Sequence, residues 1–82
     1  MPRTTDTDTL VEYLITSLVD DPASASVEKK TDGTATVYEV TVATEDIGKV
    51  IGRSGRVIKA IRTVVRAAAA EEGAHVSVEV LG

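Results

Sequence analysis

The chain has 82 residues and a net charge of −4. A chain this short builds one small domain and buries only about 60% of the surface its unfolded form exposes, which excludes a second independent core. It has no Cys, no Trp and no Phe, and its two aromatics are Tyr13 and Tyr38. That composition excludes disulfides, zinc ribbons, thiol catalysis and an aromatic platform for stacking bases.

The first eight residues are polar and without periodicity, and read as a tail outside a domain of residues 9–82. They lack the apolar core of a secretory signal, and no run of 18 apolar residues offers a bilayer span, so a cytoplasmic protein is expected. Thr9 and Glu12 have the spacing of a capping box, which predicts a helix start. Leu10, Val11, Leu14, Ile15, Leu18 and Val19 then form one helical stripe, stopped by Asp20-Asp21-Pro22.

Residues 25–31 predict a weak strand, Asp32-Gly33 a turn and residues 34–44 a second strand, the two pairing as an antiparallel hairpin. Tyr38, Val40 and Val42 form the inward phase of the second strand. Thr44-Glu45-Asp46 supplies a cap and two acids for a short helix through Ile47, Val50 and Ile51, ending at Gly52. Gly52-Arg53-Ser54-Gly55 is a four-residue loop. A longer helix follows, with Val57, Ile58, Ile61, Val64, Val65 and Ala68 as its apolar stripe and Gly73 just past its end. Residues 74–81 alternate as a last strand. The order is helix, strand, strand, helix, helix, strand, an α+β pattern without repeats.

Charge is unevenly spread. Lys49, Arg53, Arg56, Lys59, Arg62 and Arg66 lie between Ile47 and Ala70 with no acid among them, giving this segment +6 and the rest of the chain −10. An ordinary exposed helix mixes both signs. A one-sign stripe meeting a glycine loop is the electrostatic footprint expected for a phosphodiester backbone. Glycines at both ends of the loop let a ribose-phosphate chain approach closely, and the N-terminus of the following helix favours anions.

The stretch Ile47-Gly48-Lys49-Val50-Ile51-Gly52-Arg53-Ser54-Gly55-Arg56-Val57-Ile58 resembles the KH-domain signature, in which an aliphatic pair precedes G-x-x-G and a further aliphatic residue follows it. The element order matches the type II form of that fold. Leu10-Val11-Glu12-Tyr13-Leu14 and Glu45-Asp46-Ile47-Gly48-Lys49 also resemble the small bacterial KhpA family of RNA-binding proteins. The resemblance implies a three-stranded sheet packed on three helices. It also implies a loop that clamps about four nucleotides of single-stranded RNA. Gly52 and Gly55 would form the clamp, Arg53 and Ser54 would face phosphate, and Lys49 and Arg56 would flank it. Ile47, Val50, Ile51 and Ile58 would shape the groove or the core beneath it. Lys59 lies outside the motif and is added to the RNA-binding set from the basic stripe, with Arg62 and Arg66 further along it, on a helix that a dimer contact could also occupy. The family also implies an RNA chaperone or post-transcriptional regulator, acting as a homodimer or with a larger KhpB-type partner.

Other chemistries fail on the residues. Gly48 and Gly52 are not closed by the Gly-Lys-Ser/Thr of a phosphate-binding P-loop, and no dinucleotide fingerprint exists. His75 is the only histidine, and the acids carry no spacing for shared proton chemistry. No enzyme, catalytic residue, metal site or cofactor is expected. The alternative is a protein-interaction adaptor with little RNA affinity of its own. The net negative charge favours it, as does an alanine-rich helix end, formed by Val64, Val65 and alanines 67–70, that would pack against a second copy.

Overall fold

The computed structural model describes residues 7–81. Among them, α1 (Thr7–Leu18), β1 (Ser26–Asp32), β2 (Ala35–Thr41), α2 (Ile47–Ile51), α3 (Arg56–Ala70) and β3 (His75–Leu81) follow in the expected α+β order. Single 3-10 turns at Pro22–Ser24, Thr44–Asp46 and Arg53–Gly55 complete the connections.

The sheet has the order β1-β2-β3. β1 pairs antiparallel with β2 through a two-residue loop, since Asp32 lies opposite Ala35. Gly33 takes the first loop position with φ +66°, where a side chain would be strained. β3 pairs parallel with β2 because α2 and α3 form the crossover that a parallel neighbour requires.

Alternation along β2 sends Thr36, Tyr38 and Val40 to the buried face, and the helices cover that face. Val11 and Ile15 from α1, Val50 from α2, and Ile58, Ile61 and Val65 from α3 meet Tyr38, Val40 and Val78 in one core. Full burial of each such side chain contributes roughly 1.5–3 kcal/mol. The other face of the sheet is acidic. Glu28, Glu39 and Glu79 share one cross-strand row, and Lys30 reaches Glu39 at 3.1 Å and Glu28 at 3.9 Å.

The ends of the elements depart from expectation in three places. Helical structure is present at Thr7 and Asp8, so both belong to α1 and not to a tail, and Thr9 lies inside the helix instead of capping it. The expected tail's residues 1–6 lie outside the described residues. Tertiary contacts hold the start of α1: Tyr38 donates its hydroxyl to Asp8 Oδ1 at 2.5 Å, Lys29 Nζ lies 3.3 Å from the same oxygen, and Thr7 donates its hydroxyl to Glu72 Oε1 at 3.1 Å. The last bond also gives Glu72 a structural role just past α3. Thr44 caps nothing, because the segment it was expected to cap opens as a 3-10 turn with Ala43 in the cap position. Finally, Val64 is 47% exposed although it shares the apolar pattern of α3. The buried stripe is Ile58, Ile61, Val65 and Ala69, and Val64 falls on its edge.

Candidate nucleic-acid interface

The four loop residues between α2 and α3 are shaped by main-chain conformation more than by side chains. Gly52 ends α2 by donating its N–H to Gly48 O at 2.8 Å. Its φ of +78° and ψ of 170° lie in a region open essentially to glycine alone. A methyl group at Gly52 would stand 2.4 Å from Val57 Cγ2 and 2.8 Å from the Val57 main-chain nitrogen. Gly52 is therefore required twice, by conformation and by space. Gly55 differs: its φ is +74°, but a methyl there would meet only Ile58 Cγ2, at 3.9 Å. Between them Ser54 adopts φ +58°, the only positive φ at a non-glycine among the described residues.

These angles turn the chain back within four residues and deliver it into α3 at Arg56. No side chain caps α3; the 3-10 turn before it satisfies Arg56 N–H through Arg53 O and Gly55 N–H through Gly52 O. The positive end of the helix dipole lies at the same place. Arg53, Ser54, Arg56 and Lys59 are all exposed around it. Among the described residues, no carboxylate lies within ion-pair distance of Arg53, Arg56 or Lys59.

Lys49 behaves otherwise. Its Nζ donates to Asp20 Oδ2 at 2.7 Å and to Asp46 Oδ1 at 3.2 Å. Those hydrogen bonds, Asp20's first, raise its pKa above the usual lysine value. Asp46 is 2% exposed and also accepts the main-chain N–H of Asp21 at 3.0 Å. Burial alone would raise the Asp46 pKa. The main-chain N–H groups of Asp20 and Asp21, with Lys49, outweigh it and hold the carboxyl below the usual range. Lys49 thus helps tie the corner after α1 to the helix that leads into the loop, and its charge is already matched by protein carboxylates.

The family-model comparison matches a KhpA/KhpB KH domain to residues 8–80, nearly the whole chain. The chain belongs to the KhpA/KhpB KH-domain family. It is 47% identical over 72 residues to the RNA-binding protein KhpA of Clostridium acetobutylicum, covering 88% of this chain and 96% of that protein. It is 47% identical over 70 residues to the RNA-binding protein KhpA of Chlamydia caviae, covering 84% and 88% respectively. A crystal structure of an Aquifex aeolicus Era variant bound to GDP and AlF4 superposes on 90% of this chain and 29% of its own. The TM-score is 0.60 and the identity 22%, a likeness of fold alone.

Within this KhpA/KhpB fold the aliphatic members of the motif divide into two groups. Val50 and Ile58 are core residues, at 0% and 5% exposure, while Ile47 and Ile51 pack at the core's margin. Arg53, Ser54, Arg56 and Lys59 are exposed at the loop and the start of α3, with Gly52 and Gly55 half-buried between them. Sequence reasoning missed the contact between Gly52 and Val57, the burial of Asp46 and the pairing of Lys49. Only the acids at 20, 21 and 46 hinted at the last two.

Two outcomes follow from this geometry. Gly52→Ala combines a forbidden conformation with a main-chain clash, so it is expected to destabilise the domain by about 2–4 kcal/mol. Gly55→Ala, with strain alone, is expected to cost about 1–2 kcal/mol. Urea denaturation followed by circular dichroism measures both, and equal losses would contradict the assigned packing. Because the folded-state pKa of Asp46 is depressed, its contribution to stability is complete above about pH 4 and disappears as pH falls further. Thermal melts between pH 7 and 3 are expected to show a steeper acid loss for the wild type than for Asp46→Asn.

Proposed function

We propose that this protein binds single-stranded RNA by gripping the phosphate backbone at Gly52-Arg53-Ser54-Gly55, and that it carries out no reaction of its own. The observation that carries the reading is the coincidence, at one glycine-bounded loop, of the positive end of α3 and three exposed cations that have no carboxylate partner among the described residues. Relatives bearing the name RNA-binding protein KhpA support it. In this reading Gly52 holds the turn against Val57, Gly55 leaves room for the sugar-phosphate chain to approach, and Arg53, Arg56 and Lys59 neutralise phosphates. Ile47 and Ile51 border the space for bases. Aromatic stacking plays no part, so affinity is modest and depends on salt. The proposal places the protein in the cytoplasm, acting on RNA after transcription. Among the described residues, no helix is long and apolar enough to cross a membrane.

A second reading concerns partners. Leu14 and Leu18 of α1 face Val57, Ala60 and Val64 of α3 across an almost wholly apolar groove of about 220 Å³. It differs from the self-packing surface expected at the end of α3, because Val65 and Ala69 are used up in the protein's own core. We read the groove as the seat of a second copy of this chain or of a KhpB-type partner. Val57 lines it and also packs under Gly52, so an occupant would rest against the base of the clamp.

Fluorescence polarisation with a short labelled RNA at several salt concentrations tests the first reading. Three phosphate contacts predict a log–log salt slope near −2. The double variant Arg53→Asp with Ser54→Asp is expected to lose binding while its circular dichroism is unchanged, since Asp tolerates the left-handed conformation at position 54. Equal binding by both proteins would reject the clamp. For the second reading, sedimentation at tens of micromolar is expected to show dimers that Val64→Glu disperses, and a strict wild-type monomer would remove the homodimer.

A further inference from the structure

β1 is an edge strand, with β2 on one side and no strand on the other. It pairs with β2 over seven consecutive positions without a bulge, contains no proline, and exposes six of its seven residues. A bulge, a proline or a covering element is the common guard on such an edge. The opposite edge is partly guarded, since Arg62 Nε donates to the main-chain oxygen of Val78 in β3 at 3.1 Å. Among the described residues, no side chain bonds to the main chain of β1 in that way.

The hairpin fixes which main-chain groups of β1 face outward. Asp32 and Ala35 close a two-residue loop and so form a hydrogen-bonded pair. From there the bonding alternates. Ser26, Glu28, Lys30 and Asp32 turn their N–H and C=O groups to β2, while Val27, Lys29 and Thr31 turn theirs outward. Two copies of this edge can pair antiparallel only where outward residues meet. A pair centred on Lys29 satisfies all three, setting Lys29 opposite Lys29 of the second copy and Val27 opposite its Thr31. A shift of two residues either way leaves a single outward residue paired within the strand.

The side chains favour the same register. Glu28 falls opposite Lys30 of the second copy, and Lys30 opposite its Glu28. Both are non-hydrogen-bonded pairs, in which side chains lie closest. Within one chain, the outer sheet face sets Glu28, Glu39 and Glu79 in a row against Lys30 alone. The second copy brings another lysine to the end of that row. The two Lys29 side chains meet on the helix face, where Asp8 of each chain lies 3.3 Å from its own lysine and neutralises it.

We propose that β1 docks antiparallel on β1 of a second copy, centred on Lys29, and joins two three-stranded sheets into one of six strands. The contact does not rest on the RNA-binding reading. It is also separate from the apolar groove between α1 and α3, which β1 does not line. A chain that uses both contacts assembles beyond a dimer. Val27 is the only apolar residue of β1, so the edge pair forms at higher concentration than a contact through the groove.

The chain has no cysteine, so single-cysteine variants of the full chain report the register directly. Glu28→Cys and Lys30→Cys are mixed at several hundred micromolar in a glutathione redox buffer. The register holds these positions opposite each other at a Cα distance of about 4.5 Å, within the range a disulfide spans. The mixed disulfide is expected to exceed either same-variant disulfide by about tenfold. A statistical mixture of the three, or no cross-link, overturns the proposal. Sedimentation at the same concentration tests the charges. Val64→Glu, with its groove contact removed, is expected to form dimers. Adding Glu28→Lys relieves the glutamate row within the chain but sets lysine against lysine across the edge, and is expected to give monomers. Adding Lys30→Glu as well restores opposite charges and is expected to restore the dimer. Dimers that survive Glu28→Lys alone, or a charge exchange that fails to restore them, overturn the proposal. Should Val64→Glu prove unfolded by circular dichroism, the same series in the wild-type chain is read as loss and return of the largest species. A wild-type monomer at tens of micromolar removes only the groove contact, and the cross-link still decides the edge.

Discussion

At Gly52 the main chain passes so close to Val57 that no side chain fits between them. The rest of the site follows from that contact. It allows a five-residue helix to stop, reverse and start a fifteen-residue helix within four residues. The reversal starts α3 without a side-chain cap beside Arg53 and Arg56, which brings helix dipole and side-chain charge to one place. Ser54 completes the turn in a conformation most residues avoid.

Charge is sorted around this frame. The loop and α3 carry cations without acids, while the outer sheet face carries a row of glutamates directly opposite one another. Like charges in such a row destabilise a sheet, and Lys30 offsets part of the repulsion. An acidic back and a basic front explain how a chain of net −4 can still present a cationic surface to an RNA strand. The cations themselves have different duties. Lys49 is engaged by Asp20 and Asp46 and serves the architecture. Arg62 is engaged by Val78, and among the described residues the side chains of Arg53, Arg56, Lys59 and Arg66 have no protein partner.

Much of this was legible in the sequence because its causes are local. The glycine spacing, the alternation of Tyr38 and Val40, the turn at Gly33 and the cation run all act over a few residues. What stayed hidden depends on distant parts of the chain. Lys49 meets Asp20 across 29 positions, Arg62 meets Val78 across 16, and Thr7 meets Glu72 across 65. No periodicity reports such pairs. The exposure of Val64 was hidden for a related reason. A helical pattern gives the width of an apolar stripe, but the packing of α1 and the sheet decides which edge of that stripe is covered. The shared role expected of Ile47, Val50, Ile51 and Ile58 was separated in the same way, by the depth at which each meets the core.

The central claim is that RNA contacts one face, built on the loop at Gly52 and the cation flank of α3. Chemical-shift mapping of the ¹⁵N-labelled protein during titration with a short single-stranded RNA tests it most directly. The account predicts the largest shifts at residues 52–59, with smaller ones along α3 toward Arg62, and none at Glu28, Glu39 or Glu79. Shifts centred on the outer sheet face, or an unperturbed loop in a protein that has bound RNA, would contradict it.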